Sequence, residues 1–182
     1  MVNIYKLKLT LLQQEILRLL SIKAGFSLNQ RQIAKHLEVS QPAVMKALPR
    51  LEKKDLIKKN QDKETKRWAI ELNRDNNYVL QLKRVDNIKL MYESGLADFL
   101  EKEFAGATII LFGSYLRGED LMNSDIDIAV VGRKDKLINL SKYEKLVERT
   151  ININFYDNLN KIHKNLKENI CNGIVLAGAI EL

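Results

Sequence analysis

Two aspartates, Asp125 and Asp127, stand one residue apart in Ser124-Asp125-Ile126-Asp127-Ile128-Ala129-Val130-Val131. In a strand this spacing sends both carboxylates to one face and Ile126 and Ile128 to the other. Two carboxylates held side by side repel unless a cation or a proton lies between them. Mg2+ is the natural candidate, because it favours carboxylates together with substrate phosphates. Upstream, Thr108-Ile109-Ile110-Leu111-Phe112 is a continuous apolar run that predicts a buried strand, and Gly113-Ser114 follows at once. Tyr115-Leu116-Arg117-Gly118 then predicts one helical turn. A glycine at that point lets a phosphate approach the backbone, and the amides of the next turn would point at it. Ser114 adds a hydroxyl donor, and Arg117 adds charge or braces the turn. A phosphate loop beside a carboxylate pair suits Mg-dependent phosphoryl or nucleotidyl transfer. Asp125 and Asp127 are therefore candidate catalytic and metal-binding residues. Gly113, Ser114, Arg117 and Gly118 are candidate nucleotide-binding residues.

A second chemistry resides in the charge. Residues 1–85 hold 18 Lys+Arg against 8 Asp+Glu, a balance of +10, whereas residues 86–182 hold 12 against 15, a balance of −3. Such asymmetry suggests two units with different partners. The basic one suits a polyanion, because Lys and Arg gain affinity by displacing counterions from phosphates.

The elements in the basic half are legible. Thr10 caps a first helix whose apolar stripe is Leu11, Leu12, Ile16, Leu19 and Leu20. Asn29 to Leu37 reads as a short second helix, and Glu38-Val39-Ser40 as a tight turn. Ser40 is a suitable N-cap and Pro42 fits the first turn of a third helix. That helix continues through Ala43, Val44, Ala47, Leu48 and Leu51. Pro49 inside it removes a bond to Met45 and costs about 3 kcal/mol by propensity, so a kink or an early end is expected there. Two strands follow, residues 56–60 and 65–72, around a polar turn, with Trp68, Ile70 and Leu72 on one face.

Helix, three-residue turn, helix, then a basic hairpin resembles the winged helix regulators over about residues 8–73. The resemblance rests on Ile33-Ala34-Lys35-His36-Leu37-x-Val39-Ser40-Gln41-Pro42-Ala43-Val44 and on Leu48-x-x-Leu51-Glu52-Lys53-Lys54-x-Leu56-Ile57. It implies that Ser40, Gln41, Ala43, Lys46 and Arg50 face double-stranded DNA, with Lys63, Lys66 and Arg67 at the wing. Phosphate contacts would position the module and Gln41 would read a base edge.

Gly113-Ser114-x10-Asp125-x-Asp127, with Gly118, resembles the polymerase-beta-like nucleotidyltransferases, in particular the minimal nucleotidyltransferases of prokaryotes. The resemblance spans about residues 88–182, including Asn169-Ile170-x-Asn172-Gly173-Ile174-Val175-Leu176. It implies that the Gly-Ser loop holds a nucleoside triphosphate and that the two aspartates bind the metals. It also implies a third carboxylate on a later strand, here residues 150–156. Asn152 and Asn154 share a face of that strand where an aspartate is expected, and Asp157 is out of phase. An asparagine amide coordinates a metal weakly and cannot take a proton as a base.

The expected fold class is therefore α+β in two domains. A winged helix-turn-helix spans residues 1–74, a connecting segment 75–86, and a mixed sheet flanked by helices 87–182. Residues 78–104 read as mainly helical, with Gly106 closing the segment. The 46% apolar content is that of a globular chain. No run reaches the 18 or so apolar residues of a membrane span. The first residues lack a secretory pattern, and the single Cys171 excludes an internal disulfide, so a cytoplasmic protein is expected. Cys171 is expected to be a packed thiol, His36 a packing residue and Trp68 a core anchor. Lys134, Lys136, Lys142 and Lys145 are expected on a solvated helix face, and His163 at the surface of an amphipathic helix. The leading functional expectation is a DNA-binding regulator whose second domain binds Mg2+ and a nucleoside triphosphate. The alternatives are an active nucleotidyltransferase acting on a protein or small molecule, and an antitoxin-like module that pairs with a toxin through a degenerate site. A homodimer would suit palindromic DNA.

Overall fold

The computed structural model describes residues 8–61 and 67–180. Lys63 and Lys66 lie outside the described residues. The chain forms two compact units, Met1–Val79 and Leu80–Leu182.

In the first unit, α1 (Leu11–Ile22), α2 (Gln30–His36) and α3 (Gln41–Lys53) precede β1 (Ile57–Gln61) and β2 (Trp68–Leu72). Local chemistry sets the helix starts. Thr10 and Gln13 form a capping box at α1, Asn29 and Gln32 form another at α2, and the Ser40 hydroxyl accepts from the Ala43 amide at α3. The buried Gln13 amide also donates to the Ala47 carbonyl (3.2 Å), tying α1 to α3. Ile16, Leu20, Ile33, Val44, Leu51 and Ile70 are fully buried and form the shared core. The antiparallel β1–β2 pair is anchored to the helices by two backbone bonds between Leu28 and Ile70, 2.8 and 2.9 Å.

Three details differ from expectation. α3 does not end early at Pro49 but continues to Lys53, and both Pro49 and Met45 lie on its exposed side, where water can take the freed carbonyl. His36 is exposed, in the last turn of α2 beside Lys35, where a cationic edge suits the helix C-terminus. Ile33 and Ala34 supply the packing instead. Trp68 is half-buried, with Lys59 Nζ 4.4 Å from its ring centroid, and the core positions of β2 are Ile70 and Leu72.

α4 (Asn77–Glu93) carries the chain into the second unit. There follow α5 (Leu96–Glu103), β3 (Thr108–Phe112), α6 (Gly113–Arg117), β4 (Ile126–Val131), α7 (Ser141–Val147) and β5 (Ile151–Tyr156). A short 3-10 turn (Leu159–Lys161), α8 (Lys164–Cys171) and β6 (Ile174–Ala177) complete it. The helical segment expected over 78–104 is two helices, parted at Ser94-Gly95 where Gly95 turns left-handed (φ +73°). The sheet order is β5-β4-β3-β6, with β4–β5 parallel and the other pairs antiparallel. The expected mixed sheet flanked by helices is what forms.

One sheet face, carrying Ile109, Leu111, Ile126, Ile128 and Val130, packs with Met91, Leu96, Leu100 and Phe104. The other, carrying Ile110, Phe112 and Ala129, packs with Ile170 of α8. Cys171 is exposed rather than packed, because Ile170 takes the inward position of that turn. Lys142 and Lys145 lie on α7, while Lys134 and Lys136 lie in the non-helical stretch before it; all four are exposed. His163 is exposed and precedes α8.

A buried charge network secures the loop after α6. Asp120, fully buried, pairs with Lys83 of α4 and with Arg149 (3.1 Å). Asn87 donates both to Asp120 and to the Tyr115 carbonyl of α6, each at 2.8 Å.

Candidate functional site

The motif in the second unit is assembled where β3 ends and β4 begins. Antiparallel pairing sets Phe112 opposite Asp127, so the turn leaving β3 closes over the Asp127 side chain. Gly113 makes that turn with φ +82°. A Cβ at Gly113 would stand inside van der Waals contact with the Asp127 carboxylate, with its Cβ and Cγ at 3.3 Å. The glycine is thus required twice, by its backbone conformation and by the carboxylate against it.

Asp127 is half-buried, and that burial, with the charge of Asp125, lifts its carboxyl above the ordinary aspartate value; Arg117 opposes the shift. Asp125 is more exposed, and its Oδ2 accepts from Asn152 Nδ2 at 2.9 Å. The parallel β4–β5 pairing sets Asn152 beside Asp127 and Asn154 beside Ala129. The amide of Asn152 therefore reaches the carboxylate pair, while Asn154 is one step further along the sheet.

Ser114 and Arg117 lie on α6. Arg117 Nε bonds Glu119 (2.7 Å) and its guanidinium donates to Asn169 of α8 (3.1 Å), so it braces α6 and contributes field to Asp127. Gly118 ends α6 in the left-handed region (φ +73°), and its Cα faces the α4 backbone at Leu80 and Arg84. A cleft of about 590 Å³ adjoins Asp125, lined by Ser124, Ser141, Glu144, Lys145 and Glu148 among others; none of its described lining residues is aromatic.

The donors available to a cation are the two carboxylates and the Asn152 amide. Among the described residues no group of three or more His, Cys, Asp or Glu is placed to hold a metal. The repelling Asp125/Asp127 pair nevertheless has the oxygen chemistry that a hard divalent cation takes. Glu119 and Tyr156 were not expected near the site, and Asn169, expected only as part of the closing segment, holds Arg117. Burial, then the charge of Asp127, pushes the Tyr156 hydroxyl up. Its signal was present, since Asn152, Asn154 and Tyr156 alternate onto one face.

In the first unit, Gln41, Lys46 and Arg50 project from the exposed side of α3, and Ala43 is half-buried. Ser40 is exposed with its hydroxyl committed to the α3 cap (3.3 Å). Arg67 is exposed on the wing side of a cleft of about 620 Å³, which Arg31, Lys35, Gln41 and Trp68 also line. Arg31 and Lys35 were not singled out from sequence, although their i,i+4 spacing on a short helix places them on one side.

Residues 9–68 match the MarR family, and residues 93–176 match the nucleotidyltransferase domain family. No curated protein matches the chain. Among solved structures, the adhesin competence repressor (AdcR) of Streptococcus pyogenes is 27% identical, covering 57% of this chain and 72% of that one at a TM-score of 0.43. The MepR–DNA complex of Staphylococcus aureus is 27% identical, covering 52% of this chain and 78% of that one at a TM-score of 0.39. MepR alone, a transcription regulator of the multidrug efflux pump MepA, is 28% identical, covering 53% and 69% at a TM-score of 0.42. The helix order and the exposed basic side of α3, with the Gly-Ser turn closing on an Asp-x-Asp strand, agree with both family matches: the chain joins a MarR-type DNA-binding regulator domain to a nucleotidyltransferase domain.

Proposed function

We propose that this protein is a DNA-binding regulator whose second unit takes a nucleoside triphosphate with Mg2+ as a ligand. The observation that carries the reading is the Asp127 carboxylate held against Gly113 and lifted by burial and by Asp125. Such a pair is costly to keep ionised, and a divalent cation shared with a phosphate relieves that cost. Asp125 and Asp127 would hold the ion with the Asn152 amide, and Gly113 and Ser114 would hold the phosphates. When bound, Mg2+ would supply positive charge that offsets the repulsion among the carboxylates and phosphates.

Asn152 favours binding over rapid turnover. It reaches the carboxylate pair where a third carboxylate is implied, and its amide cannot accept a proton from an attacking hydroxyl. A second reading, slow transfer to a polar small molecule, is favoured by the cleft beside Asp125. The winged helix would act as one half of a homodimer on a palindromic site, in the cytoplasm where DNA and nucleotides meet. No helix among the described residues is long and apolar enough to cross a membrane.

The test is thermal unfolding with and without Mg-ATP. At 100 times its dissociation constant the ligand adds about 2.7 kcal/mol, an increment expected to vanish in Asp125→Ala. Absence of any shift across millimolar nucleotide and metal would refute nucleotide binding. Labelled nucleotide transferred to an acceptor by the wild type, and not by Asp125→Ala, would establish the second reading.

A further inference from the structure

A short segment, Gly118 to Asp125, joins the Gly-Ser turn and α6 to the aspartate strand. It carries a turn of its own: the Leu121 amide donates to the Ser124 hydroxyl at 2.9 Å, and the Ser124 amide to the Leu121 carbonyl at 3.0 Å. The rest of its placement comes from elements distant in sequence. One oxygen of the buried Asp120 carboxylate takes Lys83 and the Asn87 amide (2.8 Å), and the other takes Arg149 (3.1 Å). Asn87 also holds the Tyr115 carbonyl of α6 at 2.8 Å. Gly118 lies so close on α4 that an added Cβ would overlap the Leu80 carbonyl and stand 2.8 Å from the Arg84 amide nitrogen. Arg149 adjoins Thr150, whose carbonyl accepts at 2.9 Å from the amide of Ile126, between the two aspartates. One carboxylate thereby ties α4 to the loop after α6 and to the entry of β5, the elements that lead to Asp125 and Asn152.

Stability alone does not call for this arrangement, because apolar side chains of similar volume often replace a buried ion network at little cost. What the charges add is directional bonding at fixed points. α4 lies between the two family matches and shares only Glu93 with the second, so Lys83 and Asn87 come from outside the matched nucleotidyltransferase segment. We propose that Lys83, Asn87, Asp120 and Arg149 are positioning residues of the nucleotide site, fixing the spacing between the Gly113-Ser114 turn and the Asp125/Asp127 pair so that one metal-triphosphate ligand spans both. This role rests on the reading of the second unit as nucleotide-binding. Asp125 and Asp127 share one strand, so the distance between them does not depend on the network, whereas their distance from Ser114 does.

The full-length protein is titrated with Mg-ATP by calorimetry and with Mn2+ alone by electron paramagnetic resonance. The variant K83M/D120L/R149M exchanges the network for apolar side chains and is expected to unfold near the wild-type midpoint by far-ultraviolet circular dichroism. Its Mg-ATP dissociation constant is expected to rise at least about tenfold, the scale of loss when groups that orient ligands are removed. Its Mn2+ affinity is expected to match the wild type, since a bare ion needs the carboxylates and not the turn. A network that only stabilised the fold would move neither affinity in a variant that stays folded. If the triple variant does not fold, N87A, which leaves no buried charge without its partner, is measured in the same way with the same direction expected. Unchanged Mg-ATP affinity in the folded variant, with wild-type binding intact, would overturn the positioning role alone. Equal losses of Mn2+ and Mg-ATP affinity would also overturn it, placing the effect on the carboxylates rather than on the spacing. A wild type that binds no Mg-ATP would overturn the nucleotide reading and the role with it.

Discussion

Gly113→Ala separates two costs that the structure superimposes at one residue. The first is conformational: an alanine at φ +82° costs about 1–2 kcal/mol in the left-handed region. The second is steric, since the new methyl would overlap the Asp127 carboxylate, and overpacking of this kind costs about 1–3 kcal/mol. Gly95 provides the control. It has φ +73°, and a Cβ added there would meet no heavy atom within 4 Å, so Gly95→Ala carries the conformational cost alone. The expected losses are about 1–2 kcal/mol for Gly95→Ala and about 2–5 kcal/mol for Gly113→Ala. In a unit of about 100 residues each kcal/mol moves the midpoint by roughly 4–8 °C. Removing the carboxylate tests the steric part: in an Asp127→Ala background, Gly113→Ala should cost no more than Gly95→Ala, the difference being the coupling energy. The assay is thermal unfolding followed by far-ultraviolet circular dichroism. Fluorescence of Trp68, the single tryptophan, reports the first unit and should not change. Equal losses at the two glycines, or no recovery on removing the Asp127 side chain, would refute the reasoning.

Asp127 also predicts a pH dependence. Its carboxyl lies above the ordinary value of 3.8, so folding favours the protonated form. That contribution is fully present below 3.8 and is lost as pH rises through the higher folded value. Asp127→Asn is therefore expected to raise the unfolding midpoint at neutral pH, with the gain shrinking towards pH 4; a loss at neutral pH would contradict this. Asp120→Ala leaves Lys83 and Arg149 as buried cations without their shared carboxylate. A loss of about 3–5 kcal/mol in urea unfolding is expected, and a loss below about 1 kcal/mol would show that water solvates the network.

Features that a few neighbouring residues decide were legible in the sequence alone. The caps at Thr10 and Ser40, the turn before α3, the buried run of β3, and the Gly113-Ser114 and Asp125-x-Asp127 spacings depend on chemistry within a turn or on strand alternation. Those local rules were enough to separate a basic winged helix from a nucleotidyltransferase-like sheet. They did not decide which side of a short helix faces inward, so His36 and Cys171 proved exposed while Ile33 and Ile170 took the core. Only the tertiary structure decided the contacts across long sequence separation. Parallel pairing brings the Asn152 amide to Asp125, 27 residues earlier, and Asp120 meets Lys83 and Arg149 across 37 and 29 residues. Register and burial are collective outcomes of packing, which no single segment encodes. The sequence identified the aspartate pair, the Gly113-Ser114 turn and Asn152, and the fold set Gly113 against Asp127 and the Asn152 amide on Asp125.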